Sequence, residues 1–128
     1  MRKHSVKTIM VAEDVENNYL LIKCILDENK FNVIRAVDGI EAVSIIRAGQ
    51  IPDLIIMDIR MPKMTGMEAT VMIRNLYPDI PIIAVTAYAQ ESDRDRILDS
   101  GFSDYIAKPF SKQLFLSVLS RHLTGEKQ

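Results

Sequence analysis

The run Leu54-Ile55-Ile56-Met57-Asp58 decides how this chain folds. Its first four residues are apolar, so both faces of a strand made from them must be covered. Such strands belong in the middle of a parallel sheet. Ile82-Ile83-Ala84-Val85 repeats the pattern behind Pro81 and ends at Thr86. Thr8-Ile9-Met10-Val11-Ala12 is a third apolar run, too short to be a helix of its own. Asn32-Val33-Ile34-Arg35-Ala36-Val37 is more polar and reads as a strand near an edge. Tyr105-Ile106-Ala107 is a short fifth strand, ending at Lys108-Pro109.

Between these runs the period changes to that of a helix. Residues 17–29 place Leu21, Ile22, Ile25 and Leu26 on one stripe. Asp38 is placed to cap a second helix, with Glu41 at its third position and Ala42, Val43, Ile45 and Ile46 as its apolar face. Gly49 stops that helix and Pro52 follows. Thr65-Gly66-Met67-Glu68 is a capping box that opens a third helix, which ends before Pro78. The fourth helix, residues 90–100, has few large apolar residues, Ile97 and Leu98, and suits a loosely held element. The last starts at Ser111, with Phe110 and Phe115 as a hydrophobic staple. Leu114, Val118, Leu119 and Leu123 continue its buried stripe.

Five strands alternating with five helices specify an α/β fold, a parallel sheet with helices on both faces and right-handed crossovers. The expected architecture is an open, doubly wound, flavodoxin-like sheet of order 2-1-3-4-5, since 128 residues are too few for an eightfold barrel. The chain reads as one domain over residues 1–128, with an ordered core from 8 to 123 and short tails.

Composition narrows the function. Apolar residues make up 48% and charged residues 26%, with a formal net charge of -1, so no strong field draws nucleic acid or an anionic membrane. No apolar run approaches the ~18 residues of a membrane span, and MRKHSVK lacks the apolar stretch of a signal peptide. The single cysteine, Cys24, rules out an internal disulfide and fits a reducing cytoplasm. It lies among apolar helix residues, which predicts core packing, and the methionines read as core filler. His4 and His122 sit at opposite ends of the chain and give no zinc cluster. His122 reads as partly packed or capping, and Arg94 and Arg96 as a solvated face.

The polar residues that end the strands carry the chemistry. Glu13-Asp14, Asp58, Thr86 and Lys108 each stand just past a strand's carboxyl end, the edge where open α/β sheets bind ligands. Taken singly, each reads as a cap, a turn residue or a surface lysine; four at one edge do not. If strands one and three are neighbours, Glu13, Asp14 and Asp58 converge. Three carboxylates against one lysine repel one another unless a cation binds or a proton stays. Oxygen ligands alone select a hard ion, Mg²⁺ first and Mn²⁺ as an alternative. Asp58 is the candidate nucleophile, because a carboxylate can form an acyl phosphate given a metal to shield charge. Thr86 offers a hydroxyl to the phosphoryl oxygens and Lys108 an ammonium.

Four stretches, VAEDVENN (11–18), DLIIMDIRMPKMTG (53–66), IIAVTAY (82–88) and GFSDYIAKPF (101–110), resemble the receiver domain of response regulators in two-component signalling. The resemblance covers about residues 8–123. It implies that Asp58 is the phosphoacceptor, that Glu13 and Asp14 organise Mg²⁺, and that the backbone carbonyl of Arg60 is a further metal ligand. Thr86 matches the switch hydroxyl, Lys108 the lysine that pairs with the phosphoryl group, and Tyr105 the aromatic that turns inward. Pro109 would follow a cis peptide bond. Glu13 stands where Asp is also common, and its longer side chain is expected to reach the metal through water. The implied donor is a phosphohistidine on a histidine kinase or histidine phosphotransfer protein, with switching of the helix 4-strand 5-helix 5 surface. No direct nucleic-acid or membrane contact is implied, and a phosphorylation-dependent dimer is one possible output. Two arrangements fit, a stand-alone receiver or the receiver of a hybrid sensor kinase, and EDVENN and MDIRMPKMTGMEAT look more like receivers fused to hybrid kinases. Arg60 and Tyr88 flank the site and bear on the lifetime of the phosphoryl group.

Three rival readings compete with this one. A small Mg²⁺-dependent phosphohydrolase with Asp58 as nucleophile needs a second acid two residues on, where this chain has Arg60. A flavin or nucleotide module needs a Gly-, Ser- or Thr-rich loop where this chain has Glu13-Asp14. A non-phosphorylated interaction domain does not need the acidic cluster at all.

Overall fold

The sheet forms as its apolar runs demand. The computed structural model describes residues 6–87 and 91–123; His4, Tyr88 and both tails lie outside them. The strands are β1 (Thr8–Ala12), β2 (Asn32–Ala36), β3 (Leu54–Asp58), β4 (Ile82–Thr86) and β5 (Asp104–Ala107). The helices between and after them are α1 (Glu16–Glu28), α2 (Gly39–Arg47), α3 (Gly66–Leu76), α4 (Glu91–Asp99) and α5 (Lys112–Leu123). All strand pairs are parallel, in the order β2-β1-β3-β4-β5. Every residue of β3 and β4 is buried, which is why both runs are apolar throughout. The polar β2 takes an edge, where it is only partly covered.

Alternate residues of the strands feed two cores. Met10, Ile55, Met57, Ile82 and Ala84 face α2, α3 and α4, meeting Val43, Ile46, Ile73 and Ile97. Ile9, Val11, Leu54, Ile56 and Val85 face α1 and α5, meeting Tyr19, Ile22, Leu26, Phe115 and Leu119. Methionine serves as filler on the first side: Met10, Met57 and Met61 are buried, with Met64, Met67 and Met72 packed against them.

The helix ends follow the sequence. Asp38 accepts the Glu41 N–H at 2.8 Å. Thr65 and Glu68 form the reciprocal capping box. Ser111 accepts the Leu114 N–H at 3.0 Å, and Phe110 stacks on Phe115 with ring centroids 5.3 Å apart, completing the staple. The Lys108-Pro109 bond is cis.

The helical phase differs from expectation in three places. Leu21 is 56% exposed and Leu114 45% exposed, and Cys24 is exposed as well. α1 turns Tyr19, Ile22, Ile25 and Leu26 to the sheet. A residue one place out of phase is rotated by about 100° and misses it. Tyr19, not Leu21, therefore completes the stripe. On α5 the buried set is Phe115, Val118 and Leu119.

Candidate metal centre

Parallel strands deliver all their carboxyl ends to one edge, and register then decides which ends touch. Ala12 pairs with Met57, so the residues that follow, Glu13 and Asp58, are neighbours. Glu13, Asp14 and Asp58 each present a carboxylate oxygen within 4.8 Å of the others. Glu13 is fully buried, Asp58 nearly so, and Asp14 half-buried. The Lys108 ammonium lies 3.6 Å from Glu13 Oε1 and 3.7 Å from Asp58 Oδ2. Thr86, buried, ends β4 beside Ala107, and its carbonyl accepts the Lys108 N–H at 2.8 Å. The Arg60 N–H donates to Asp58 Oδ1 at 3.1 Å. Tyr105 lies three residues back along β5, half-buried against the core under α2, α3 and α4.

Two oxygens in this cluster lack what burial requires. Glu13 Oε1 and Asp14 Oδ1 are buried with no hydrogen-bond donor among the described residues. Burial, aided by the charge of Asp58, pushes Glu13 up from 4.5 to about 7, although the Val15 N–H and the Lys108 ammonium pull the other way. Buried anionic oxygens without donors are satisfied by a cation. With only oxygens on offer, a hard divalent ion such as Mg²⁺ fits the set.

Two supporting residues escaped the sequence reading. At the start of α3, a Cβ on Gly66 would stand 2.3 Å from the Asp58 carbonyl oxygen, so only glycine lets the helix approach the strand end this closely. The Thr-Gly of the capping box marked the helix start, but nothing in it announced the contact. Arg35, on β2, reaches across to the Glu13 carbonyl at 3.2 Å. A lone arginine on an edge strand carries no sequence signal for that.

Beside Lys108 an apolar groove of about 420 Å³ opens between Leu21, Ile22, Ala87, Pro109 and Phe110. It explains the exposed Leu21 as one wall of a surface cleft.

Comparison with known proteins matches this architecture. The family model of the response regulator receiver domain fits residues 9–120. The chain is 36% identical over 119 residues to the polar-differentiation response regulator DivK of Brucella anthropi, covering 91% of this chain and 96% of that protein. It is 37% identical over 123 residues to hybrid signal transduction histidine kinase I of Dictyostelium discoideum, covering 90% of this chain but 7% of that kinase. Among solved structures, the receiver domain of sensor histidine kinase PA1611 from Pseudomonas aeruginosa superposes with a TM-score of 0.85 at 36% identity, over 93% of this chain and 98% of that one. That structure has a magnesium ion coordinated in its active-site cleft.

Proposed function

This chain belongs to the response regulator receiver domain family of two-component signalling, and on that premise we propose that Asp58 accepts the phosphoryl group. The observation that carries the proposal is the convergence of Glu13, Asp14 and Asp58 within 4.8 Å beneath an ammonium 3.6–3.7 Å from Glu13 and Asp58. Glu13, Asp14, Asp58 and the Arg60 carbonyl would hold Mg²⁺, or Mn²⁺ in its place. The ion supplies charge shielding between the carboxylates and an incoming phosphoryl group.

The residues of the chain do the rest. An Asp58 oxygen attacks phosphorus in line, the P–N bond to a donor imidazole breaks, and a P–O bond to Asp58 forms. Lys108 pairs with a phosphoryl oxygen, and the Thr86 hydroxyl donates to another. Thr86 sits one strand from Tyr105, whose inward turn then changes the surface made by α4, β5 and α5. Ile97 is the large apolar anchor of α4 among the described residues, in keeping with a movable helix. The donor is a phosphohistidine on a histidine kinase or phosphotransfer protein, on the cytoplasmic side. A phosphorylation-dependent dimer is one output that this switched surface would serve. Among the described residues no helix is long and apolar enough to cross a membrane.

Acetyl phosphate with Mg²⁺ should add one phosphoryl group to the protein by intact mass, and Asp58→Asn should add none. Equal labelling of both proteins refutes the assignment of Asp58. Sustained turnover of phosphate esters would instead favour a phosphohydrolase.

A further inference from the structure

The loop that carries Glu13 and Asp14 is short of its own bracing. α1 begins after Val15, which offers no side-chain cap. Among the described residues, the loop's own side-chain brace is Glu13 itself, whose Oε2 accepts the N–H of Val15, the residue just before the helix, at 3.1 Å. A carboxylate needed for a metal is thereby also needed for the backbone. Something else has to hold the loop.

We propose that Arg35 is a positioning residue for the metal centre: from β2 its guanidinium grips the peptide of Glu13 and the first turn of α1, fixing the direction in which the acidic pair faces. The inference rests on the metal reading above. Nη2 donates to the Glu13 carbonyl at 3.2 Å and Nη1 to Glu16 Oε1 at 2.6 Å. The guanidinium lies over the Tyr19 ring, 4.3 Å from its centroid. The neighbouring Ala36 carbonyl accepts the Glu13 N–H at 3.0 Å. Both backbone groups of Glu13 are therefore held by consecutive residues of β2. The planar fork makes three different contacts at once, which a lysine ammonium cannot reproduce. Tyr19 is buried, so the stacking partner is itself immobile.

Charge and positioning predict opposite outcomes, and this makes the idea testable. If Arg35 acted only as a nearby positive charge, its removal would tighten Mg²⁺ binding. If it holds the loop, its removal weakens binding. Supporting residues around metal ligands contribute about 10–100-fold in affinity.

The experiment is calorimetric Mg²⁺ titration of the wild type, Arg35→Met and Arg35→Lys, with thermal melts to confirm folding. Arg35→Met should bind about tenfold more weakly, at the low end of that range. Arg35→Lys should bind at least as weakly, because it keeps the charge and loses the fork. Labelling by acetyl phosphate should slow at limiting Mg²⁺ and recover at saturating Mg²⁺. Unchanged or tighter binding by Arg35→Met overturns the proposal. Should that variant fail to fold, wild-type affinity in Arg35→Lys overturns it equally. A wild type that binds no Mg²⁺ removes the metal reading, and this inference with it.

Discussion

The two ends of the sheet each draw charged groups at least partly out of water, and they treat them in opposite ways. At the amino-terminal end, Arg74 of α3 reaches under β4 and β5. Its Nε donates to the Gly101 carbonyl at 2.8 Å, Nη2 to Ser103 Oγ at 3.0 Å, and Nη1 to the Ile80 carbonyl. Ser103 Oγ in turn accepts the Ile82 N–H at 3.1 Å. Gly101 has φ +108°, and a Cβ there would come 3.2 Å from Arg74 Cγ, so the glycine serves both the turn and the arginine. At the carboxyl-terminal end, three carboxylates crowd one ammonium, and Glu13 Oε1 and Asp14 Oδ1 find no donor. A satisfied buried network stabilises and fixes a structure, whereas an unsatisfied one is held in place by its surroundings. The contrast separates an end of the sheet whose polar groups are paired from one whose carboxylates lack donors, the end to which we assign the ligand.

The largest test of this contrast is Arg74→Met. The substitution keeps the apolar stem but takes the donor away from two part-buried carbonyls and from the Ser103 hydroxyl. We expect about 3 kcal/mol of destabilisation in urea, with phosphoryl labelling of the folded fraction unaffected. A loss below about 1 kcal/mol, no more than one ordinary hydrogen bond, would break the distinction between the two ends.

The acidic end should instead show its tension through pH. Folding raises Glu13 from 4.5 to about 7. Between those values the folded chain holds a proton that the unfolded chain has released, so the unfolded state binds fewer protons and stability falls as pH rises. In the presence of a chelator, denaturation midpoints should drop from pH 5 to pH 8 by the equivalent of about 2 kcal/mol. Added Mg²⁺ should flatten that slope, since it stabilises the ionised form. A rise in stability over the same window contradicts the reading of Glu13.

How much of this was legible beforehand depended on whether a feature is local. The apolar runs 54–57 and 82–85 announced central strands because burial on both faces leaves no room for polar residues. Thr65 with Glu68, and Phe110 with Phe115, announced helix starts because a cap and a staple are made within a few residues. The convergence of Glu13, Asp14 and Asp58 was legible because parallel strands end together. Tyr19 against Leu21 was not, since both fit a helical stripe and only docking on the sheet chooses the phase. Cys24 fell to the same ambiguity. Arg35 and Gly66 were invisible for a different reason: what they touch lies 22 residues away for Arg35 and across the β3–α3 loop for Gly66.

The smallest expected effect sharpens the comparison most, because its sign is unusual. Glu13→Gln keeps an oxygen for the Val15 N–H while removing a negative charge from beside Asp58. It also gives up the attraction of Lys108 at 3.6 Å. Burial dominates the upward shift of Glu13, so the charge is a net liability in the metal-free fold. At pH 8 in chelator the variant should therefore be more stable than wild type, by about 1 kcal/mol, and its pH slope should largely vanish. Mg²⁺ should stabilise it less than it does wild type, reversing the order of the two proteins. An unchanged or lower midpoint in chelator would mean that Lys108 and Val15 already balance the carboxylate, leaving the acidic end as quiet as the one built around Arg74.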